Sequence, residues 1–259
     1  SSQQLVDLST TTLKNLTTTQ IASIETTDVS VLSTVQLLAL SSTQLRALNT
    51  AQVVELTSDQ LAGLSSAAVA ALTTQQLSVL SAAKRNYLDV SSLLALTSSQ
   101  VISLTTTQIA DLSTSAIAAL NTNTIGSLTT AQIAALTTDQ AANLTTTTVK
   151  ALTTRQIAVL ENEDLAVLTS ENVAALTSVQ LQALTTSQIA GLSSQQVFDL
   201  NSTTLQALTT RQVAALETRD VAAMSTVSLS NLLSTQLQAL TTAQIAGLSS
   251  QQLVDLSTT

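Results

Sequence analysis

The side chains best suited to take part in a reaction are three small groups of carboxylates. They are Glu25/Asp28, Glu161/Glu163/Asp164 and Glu217/Asp220. Glycosidases use paired carboxylates as general acid and base, but only where a cleft holds both groups against a sugar. The chain contains no His and no Cys, which excludes Ser-His-Asp and Cys-His nucleophiles and thiolate metal sites. Gly-rich phosphate loops and Asp-rich calcium loops are also missing. We therefore expect no enzyme activity, no metal and no cofactor.

These carboxylates lie within an eight-residue repeat that continues through the chain without insertion or deletion. Thirty-two octads extend from Ser1 to Leu256, so that octad 1 is residues 1–8 and each octad has positions 1 to 8. Position 8 is Leu in thirty octads, and position 5 is Leu, Ile or Val in thirty. The exceptions are Ile24 and Met224 at position 8 and Arg85 and Ala141 at position 5. Like groups at every repeat are typical of a structural protein, because an enzyme collects unlike groups at one place.

Composition indicates a narrow core and disfavours two classes of partner. Hydrophobic residues make up 44% of the 259 residues but aromatic residues only 1%, so aliphatic side chains must fill the core. The net charge is −8, whereas nucleic acids and anionic membranes require clustered Lys and Arg. Apolar runs are too short for a transmembrane helix. We predict no nucleic acid partner and no membrane insertion.

The spacing of the apolar residues excludes one long helix. Positions 5 and 8 alternate spacings of three and five, whereas a helix or coiled coil needs three and four. Eight residues turn an ideal helix by about 800°, so an apolar stripe would drift by roughly 80° per octad. A β-solenoid suits the Thr and Val content and stays as an alternative. In a strand, however, positions 5 and 8 would point to opposite faces.

Capping residues predict one short helix in each octad. Position 1 is Ser, Thr, Asn or Asp in twenty-eight octads, the types preferred at a helix N-cap. Position 4 is Gln in nineteen, which completes a Ser/Thr-x-x-Gln capping box. Position 8 before the cap and position 5 after it are spaced as a hydrophobic staple. Gly63, Gly191 and Gly247 lie at position 7, where such a helix would end. Because the paired carboxylates occupy the same cap positions, capping is also the simpler interpretation of those groups.

We therefore predict an all-α repeat solenoid with one short capped helix per octad and with positions 5 and 8 in its core. A helix of this length is unstable alone, so octads must stabilise one another by stacking. Residues 1–259 are predicted to form a single continuous array of thirty-two repeats. Neither end has an atypical capping repeat, so we expect an excerpt of a longer array.

Residues that depart from the repeat are candidate contacts with a partner or with a neighbouring copy. Octad 11 departs most, because Lys84 replaces Gln, Arg85 takes the apolar position and Tyr87 is the only Tyr. Arg and Tyr are enriched at interface anchors, although a degenerate octad with Arg85 extended into solvent is the simpler interpretation. Bulky apolar residues at position 6 are candidate lateral contacts between solenoids, the alternative being ordinary scatter of surface apolar residues. They include Leu38, Leu94, Ile102 and Phe198.

Two further patterns concern modification and history. Asn15, Asn143 and Asn201 begin Asn-x-Ser/Thr sequons, so glycosylation is possible there and on the many hydroxyls. Residues 1–64 resemble residues 193–256, and a shift of fifty-six residues also produces matches. Both shifts are whole numbers of octads, as duplication of blocks would produce.

The unit Leu-Thr-Thr-x-Gln-Ile-Ala-x-Leu, found at Leu128–Leu136, Leu152–Leu160 and Leu184–Leu192, resembles the octapeptide-repeat regions of giant bacterial surface and secreted proteins of the repeat-adhesin kind. The resemblance covers the whole chain and rests on low-complexity sequence. It implies an extracellular or cell-surface location and a role in a stalk or filament. It carries no catalytic residues to transfer, and the adhesive head and calcium repeats of such proteins are not represented.

Three functional hypotheses follow. The first is a structural array that forms an extended rod and self-associates into an extracellular filament, sheath or adhesin stalk. The second is an α-solenoid scaffold that binds a protein or glycan partner, with octad 11 as its anchor. The third is a Thr array that binds ice or another surface, and this hypothesis requires the β-solenoid.

Overall fold

The structure of the chain is a computed structural model that describes residues 2–81, 84 and 90–257. Regular secondary structure in these residues is entirely helical, with no strand. The predicted all-α fold is therefore confirmed, and the described residues do not form the β-solenoid that the Thr-array hypothesis requires. The chain divides into two compact units, Ser1–Leu128 and Thr129–Thr259. The prediction of a single continuous array stays a prediction.

In the first unit the described octads each contain one short helix, which is of the 3-10 type in octad 4. The helices are Ser2–Val6, Thr10–Lys14, Thr18–Ala22, Thr26–Val31 (3-10), Thr34–Ala39, Ser42–Ala47, Thr50–Glu55, Ser58–Ala62, Ser66–Ala71, Thr74–Ser78, Val90–Leu94, Ser98–Ile102, Thr106–Ala110, Thr114–Ala118 and Thr122–Ser127.

The second unit repeats the pattern in α-helices. They are Thr130–Ile133, Thr138–Ala142, Thr146–Ala151, Thr154–Ile157, Asn162–Val167, Ser170–Ala174, Ser178–Ala183, Thr186–Ala190, Ser194–Phe198, Ser202–Ala207, Thr210–Ala215, Thr218–Ala223, Thr226–Ser230, Ser234–Gln238, Thr242–Ala246 and Ser250–Ser257. No helix in the described part of the chain has both the length and the apolar character needed to cross a membrane.

Where a helix ends directly at position 8, that residue and position 1 of the next octad are both extended and connect the two helices. At one such junction Leu184 has φ −61° and ψ 134°, and Thr185 has φ −69° and ψ 160°. The Thr185 hydroxyl then accepts a hydrogen bond from the Gln188 N–H at 3.1 Å. Positive φ occurs at no described residue. The junction therefore needs neither Pro nor Gly, which explains why the array contains so few of them.

Helices stack on those three octads away, and this stacking forms the coils of a solenoid within each unit. In the first unit Ser42–Ala47 lies against Ser66–Ala71, and in the second Ser194–Phe198 lies against Thr218–Ala223. Side-chain bonds from position 4 reach residues 28 to 31 positions earlier, which is four octads. One coil therefore takes between three and four octads, and each coil is held by its neighbours.

Positions 5 and 8 form the core, as predicted. In the second unit every position-5 residue from Ile133 to Leu229 has an exposed fraction of 0%, including Ala141. Position 8 from Leu136 to Leu232 is buried as well. Full burial of an aliphatic side chain stabilises a fold by about 1.5–3 kcal/mol, so these two rows supply the main apolar stabilisation of each coil.

Candidate functional site

The recurrent polar feature of the fold is a buried glutamine at position 4 that uses both ends of its amide. In octad 25, Gln196 Oε1 accepts a hydrogen bond from the Ser193 N–H at 2.8 Å. Gln196 Nε2 donates to the carbonyls of Leu165 and Leu168, at 2.9 and 2.8 Å. We name this arrangement the glutamine clip: a position-4 Gln bonded to position 1 of its own octad and to the carbonyls at positions 5 or 6 and 8 of the octad four earlier.

The clip recurs in both units. The distance from Nε2 to the position-8 carbonyl oxygen is 2.6–3.0 Å throughout. The glutamines are Gln36, Gln44, Gln52, Gln60, Gln76, Gln100 and Gln108 in the first unit, and Gln180, Gln188, Gln196, Gln212, Gln236, Gln244 and Gln252 in the second. All of them are buried.

Each clip solves the same problem at two helix ends. A short helix leaves N–H groups at its start and carbonyls at its end without intrahelical partners, and such groups destabilise a fold if they are buried unpaired. The Oε1 atom satisfies the start of its own helix, while Nε2 satisfies the end of a helix on the neighbouring coil. One side chain therefore caps two helices and joins two coils.

The glutamates of the three carboxylate groups do not cap their helices. Glu25, Glu161 and Glu217 occupy the N-cap position, but none makes a side-chain cap hydrogen bond. Glutamate places its carboxylate one methylene farther from the backbone than Asp, the type that caps well. The interpretation of these glutamates as caps is therefore wrong. Among the described residues, no three or more Asp and Glu side chains are arranged to hold a metal ion.

The aspartates of these groups take the place of the clip glutamine and are buried. Asp220, with an exposed fraction of 0%, accepts a hydrogen bond from the Ser194 hydroxyl at 2.5 Å. The Arg219 guanidinium lies between Glu217 Oε2, at 2.8 Å, and Asp220 Oδ1, at 3.5 Å. This aspartate therefore has a cation beside it.

Asp164 has a different electrostatic environment. Burial raises the pKa of its carboxyl above the ordinary value, and the negative charges of Glu161 and Glu163 raise it further, while a hydrogen bond from Thr138 acts in the opposite direction. Glu161 and Glu163 are exposed whereas Asp164 is buried. The three carboxyls therefore do not share one cleft, as an acid/base pair would require; what the arrangement favours is a proton on Asp164.

Comparison with known families agrees with the repeat. A family model described as the ALTTAQ repeat matches residues 21–58, 114–146, 157–194 and 213–258, together more than half of the chain. The chain belongs to the ALTTAQ repeat family. A search of curated proteins found no significant match. The ALTTAQ letters occur in order from Ala239 to Gln244, and they cover a helix end, the extended Leu-Thr junction and the clip glutamine.

Some ALTTAQ octads lack Gln at position 4 yet keep a donor there. Asn172 Nδ2 donates to the Leu144 carbonyl at 2.7 Å, 28 residues earlier. Lys84 Nζ donates to the Val54 carbonyl, 30 residues earlier. Bonding to the neighbouring coil is therefore preserved with three different side chains.

The predicted contact residues are distributed over separate ALTTAQ octads. Leu38, Leu94 and Ile102 lie in the first unit and Phe198 in the second, and all four are exposed at position 6. Lys84 is half-buried and bonded within its own unit. Arg85 and Tyr87 lie outside the described residues. A role for these side chains in lateral or partner contacts stays a prediction.

The capping box predicted from the sequence is only half of the glutamine clip. Sequence reasoning assigned Oε1 correctly and missed the Nε2 bond to the neighbouring coil. A signal was present, because position 4 is Gln in nineteen octads and Glu in none. Glu closes a capping box as well as Gln does and suits the helix dipole better. Its absence indicates that an amide donor is favoured over a carboxylate of the same length at position 4.

Proposed function

We propose that the chain is a non-catalytic structural repeat protein that builds an extended rod within an extracellular filament, sheath or adhesin stalk. The observation that carries the proposal is the recurrence of the glutamine clip in both units. The same buried side chain performs the same task in octad after octad, so the sequence is devoted to architecture. The lack of His and Cys supports a non-catalytic role, since these are the usual bases and nucleophiles.

The contact pattern supports linear growth. Each helix contacts those three octads away and each clip reaches four octads back, so an additional octad makes the contacts that every earlier octad makes. Proteins built from nearest-neighbour contacts elongate as repeats are added. Exposed apolar residues at position 6, such as Leu38 and Phe198, are the side chains we propose for lateral self-association. The extracellular location rests on the resemblance to bacterial surface proteins.

Solution scattering and electron cryo-microscopy of the full chain test the rod. We expect a scattering profile with a constant cross-section and a maximum dimension several times that cross-section, and filaments or lateral bundles at high concentration. A monodisperse, compact particle in both measurements would contradict the proposal. Replacing Phe198 by Ser should reduce lateral bundling without altering the single-chain profile.

Single-molecule stretching provides a mechanical test. A solenoid held by nearest-neighbour coils should lengthen in steps of one octad or small multiples of it, and each octad contributes about 27 Å when fully extended at ~3.4 Å per residue. Unravelling in one event that releases the whole chain would contradict coil-by-coil construction. Antibody labelling of intact and permeabilised producing cells separately tests the location, with staining of permeabilised cells alone arguing against the cell surface.

A further inference from the structure

Asp164 occupies position 4 of octad 21, where other octads have a clip glutamine, but an ionised Asp side chain offers no hydrogen-bond donor. It is buried, with an exposed fraction of 2%, and its Oδ2 atom is buried with no hydrogen-bond partner. In clips such as that of Gln196, Nε2 donates to carbonyls 31 and 28 residues earlier. The equivalent carbonyls for Asp164 belong to Ile133 and Leu136. An ionised carboxylate has no hydrogen to donate to either of them.

The following octad shows what a side chain of the same length does at this place. Asn172 Oδ1 accepts a hydrogen bond from the Thr146 hydroxyl at 3.1 Å, 26 residues earlier. Asn172 Nδ2 donates to the Leu144 carbonyl at 2.7 Å. Asp164 likewise accepts a hydrogen bond from Thr138, also 26 residues earlier. The unpartnered Oδ2 of Asp164 therefore corresponds to Nδ2 of Asn172.

We propose that Asp164 binds a proton in the folded chain and that its protonated Oδ2 donates to the backbone carbonyl of Leu136, which makes the junction of octads 17 and 21 a pH-sensitive clip. A carboxylic acid has the same shape as the Asn172 amide, with one donor and one acceptor. Ionisation turns that donor into an acceptor beside a carbonyl oxygen. The two coils then lose one bond and face each other through two buried acceptors.

The carboxylates on the surrounding elements act in the same direction. Glu161 and Glu163 belong to the octad of Asp164, and Asp139 lies on the helix Thr138–Ala142 that packs against it. The helix Thr186–Ala190, packed on the other side, and octad 17 carry no titratable side chain. The flanking octads 20 and 22 carry Arg155 and Glu171, and octad 25 carries Asp199. Arg155 is the cation among these residues and acts in the opposite direction.

The sign of the effect follows from the raised pKa of Asp164 in the folded chain. An aspartate in an unfolded chain titrates near pH ~3.9, so the folded chain holds this proton more tightly. The added stability is complete below about pH 3.9 and is lost as the pH rises through the folded-state value. Each unit of separation between the two values changes the ratio of folded to unfolded chain about tenfold.

Carbon-13 NMR of the full chain, labelled at the Asp side-chain carboxyls, tests the proton directly. Asp164→Asn identifies the resonance by its loss. We expect a titration midpoint above about 3.9, and a further upward shift in Thr138→Val, which removes the hydroxyl that favours the ionised form. A midpoint at or below that value would overturn the proposal, and so would a cation bound in place of the proton, because it would lower the midpoint.

A stability measurement provides the second readout. Asp164→Asn carries a permanent donor, as Asn172 does, so it should fold as the parent chain does. We expect the stability of this variant relative to the parent chain to increase as the pH rises through the Asp164 midpoint. A difference between the two chains that is constant between pH 3 and pH 8 (about the range over which Asp and a raised Asp titrate) would show that Oδ2 makes no proton-dependent bond.

Discussion

Two adjacent glutamines in one helix of octad 25, of which only one forms the clip, allow a controlled test of the clip. Gln196 is buried with an exposed fraction of 2% and makes the three clip bonds. Gln195 is exposed, and its side chain bonds only Asp199 Oδ2, at 2.9 Å. Replacing either by Ala makes the same chemical change in the same helix. We predict that Gln196→Ala loosens two coils and that Gln195→Ala leaves them intact.

The magnitude follows from the bonds that each variant removes. Gln196→Ala deletes the three short clip bonds, each with a net value of about 1 kcal/mol, and a longer bond of 3.4 Å from Nε2 to the Ala166 carbonyl. It also leaves the Ser193 N–H and the Leu168 carbonyl without partners inside the fold, whereas the Leu165 carbonyl keeps its bond from the Leu168 N–H at 3.3 Å. The two unpaired groups increase the loss to about 3–5 kcal/mol in total. Gln195→Ala alters an exposed surface position and should change stability by no more than about 0.5 kcal/mol.

Native-state hydrogen exchange is the appropriate assay, because long repeat arrays do not unfold in one cooperative step. The amides of Leu168 and Val197 lie on the two sides of the clip and bond the carbonyls of Leu165 and Ser193. Those backbone bonds survive the substitution, so faster exchange would report separation of the coils. A loss of about 3 kcal/mol corresponds to protection reduced by about 150-fold. Equal protection in the Gln196→Ala and Gln195→Ala variants would refute the clip.

Four other substitutions test the capping, packing and clip arguments. Gly191→Ala should stabilise the chain by about 0.5–1 kcal/mol, because the added Cβ would lie at least 3.5 Å from its neighbours. Gly247→Ala should lose that gain or reverse it, since its Cβ would lie 2.7 Å from Thr218 Cγ2. Ala68→Gln should add about 1–3 kcal/mol by supplying the missing donor to octad 5. Leu181→Ala should cost about 2–5 kcal/mol, because Leu181 is fully buried.

Native-state hydrogen exchange at the amides beside each substituted residue measures these changes. Equal stability of the two glycine variants would contradict the close contact at position 7. An Ala68→Gln variant no more stable than the parent chain would show that the carbonyls at positions 5 and 8 of octad 5 need no side-chain donor. A loss below about 1 kcal/mol in Leu181→Ala would mean that position 5 does not form the core.

Local structure could be predicted from the sequence because its causes lie within one octad. The N-cap, the capping box and the staple join residues at most five positions apart, so their pattern is visible in any single repeat. Thr185 and Gln188 form the predicted N-cap and capping box, and the residues spaced for the staple, Leu184 and Ile189, are both buried. The helix ends at Gly63, Gly191 and Gly247 were likewise predicted from their position.

The number of octads in a coil could not be predicted, because a uniform repeat makes every long-range pairing look alike. Shifting the coils by one octad would again place a position-4 Gln beside position-8 Leu carbonyls. Side-chain volume and backbone geometry decide between three and four octads, and neither leaves a mark on the pattern. Asp164 and Asn172 replace Gln at position 4, but their bonding partners can be assigned only once the pairing of octads is known.

The junction made of Leu and Thr in extended conformation has a consequence for how such genes change. Helices that end at position 8 pass to the next octad through the same two extended residues, and no described residue has a positive φ. The chain can therefore be cut and rejoined at such junctions without a new turn. A coil takes a non-integral number of octads, and no octad therefore marks the start of one. Length should vary among related arrays in steps of eight residues rather than of whole coils. The internal matches at a shift of fifty-six residues and between residues 1–64 and 193–256 are displaced by whole numbers of octads. The octad, in which the length of the sequence changes, is therefore smaller than the coil, which is the repeating element of the structure.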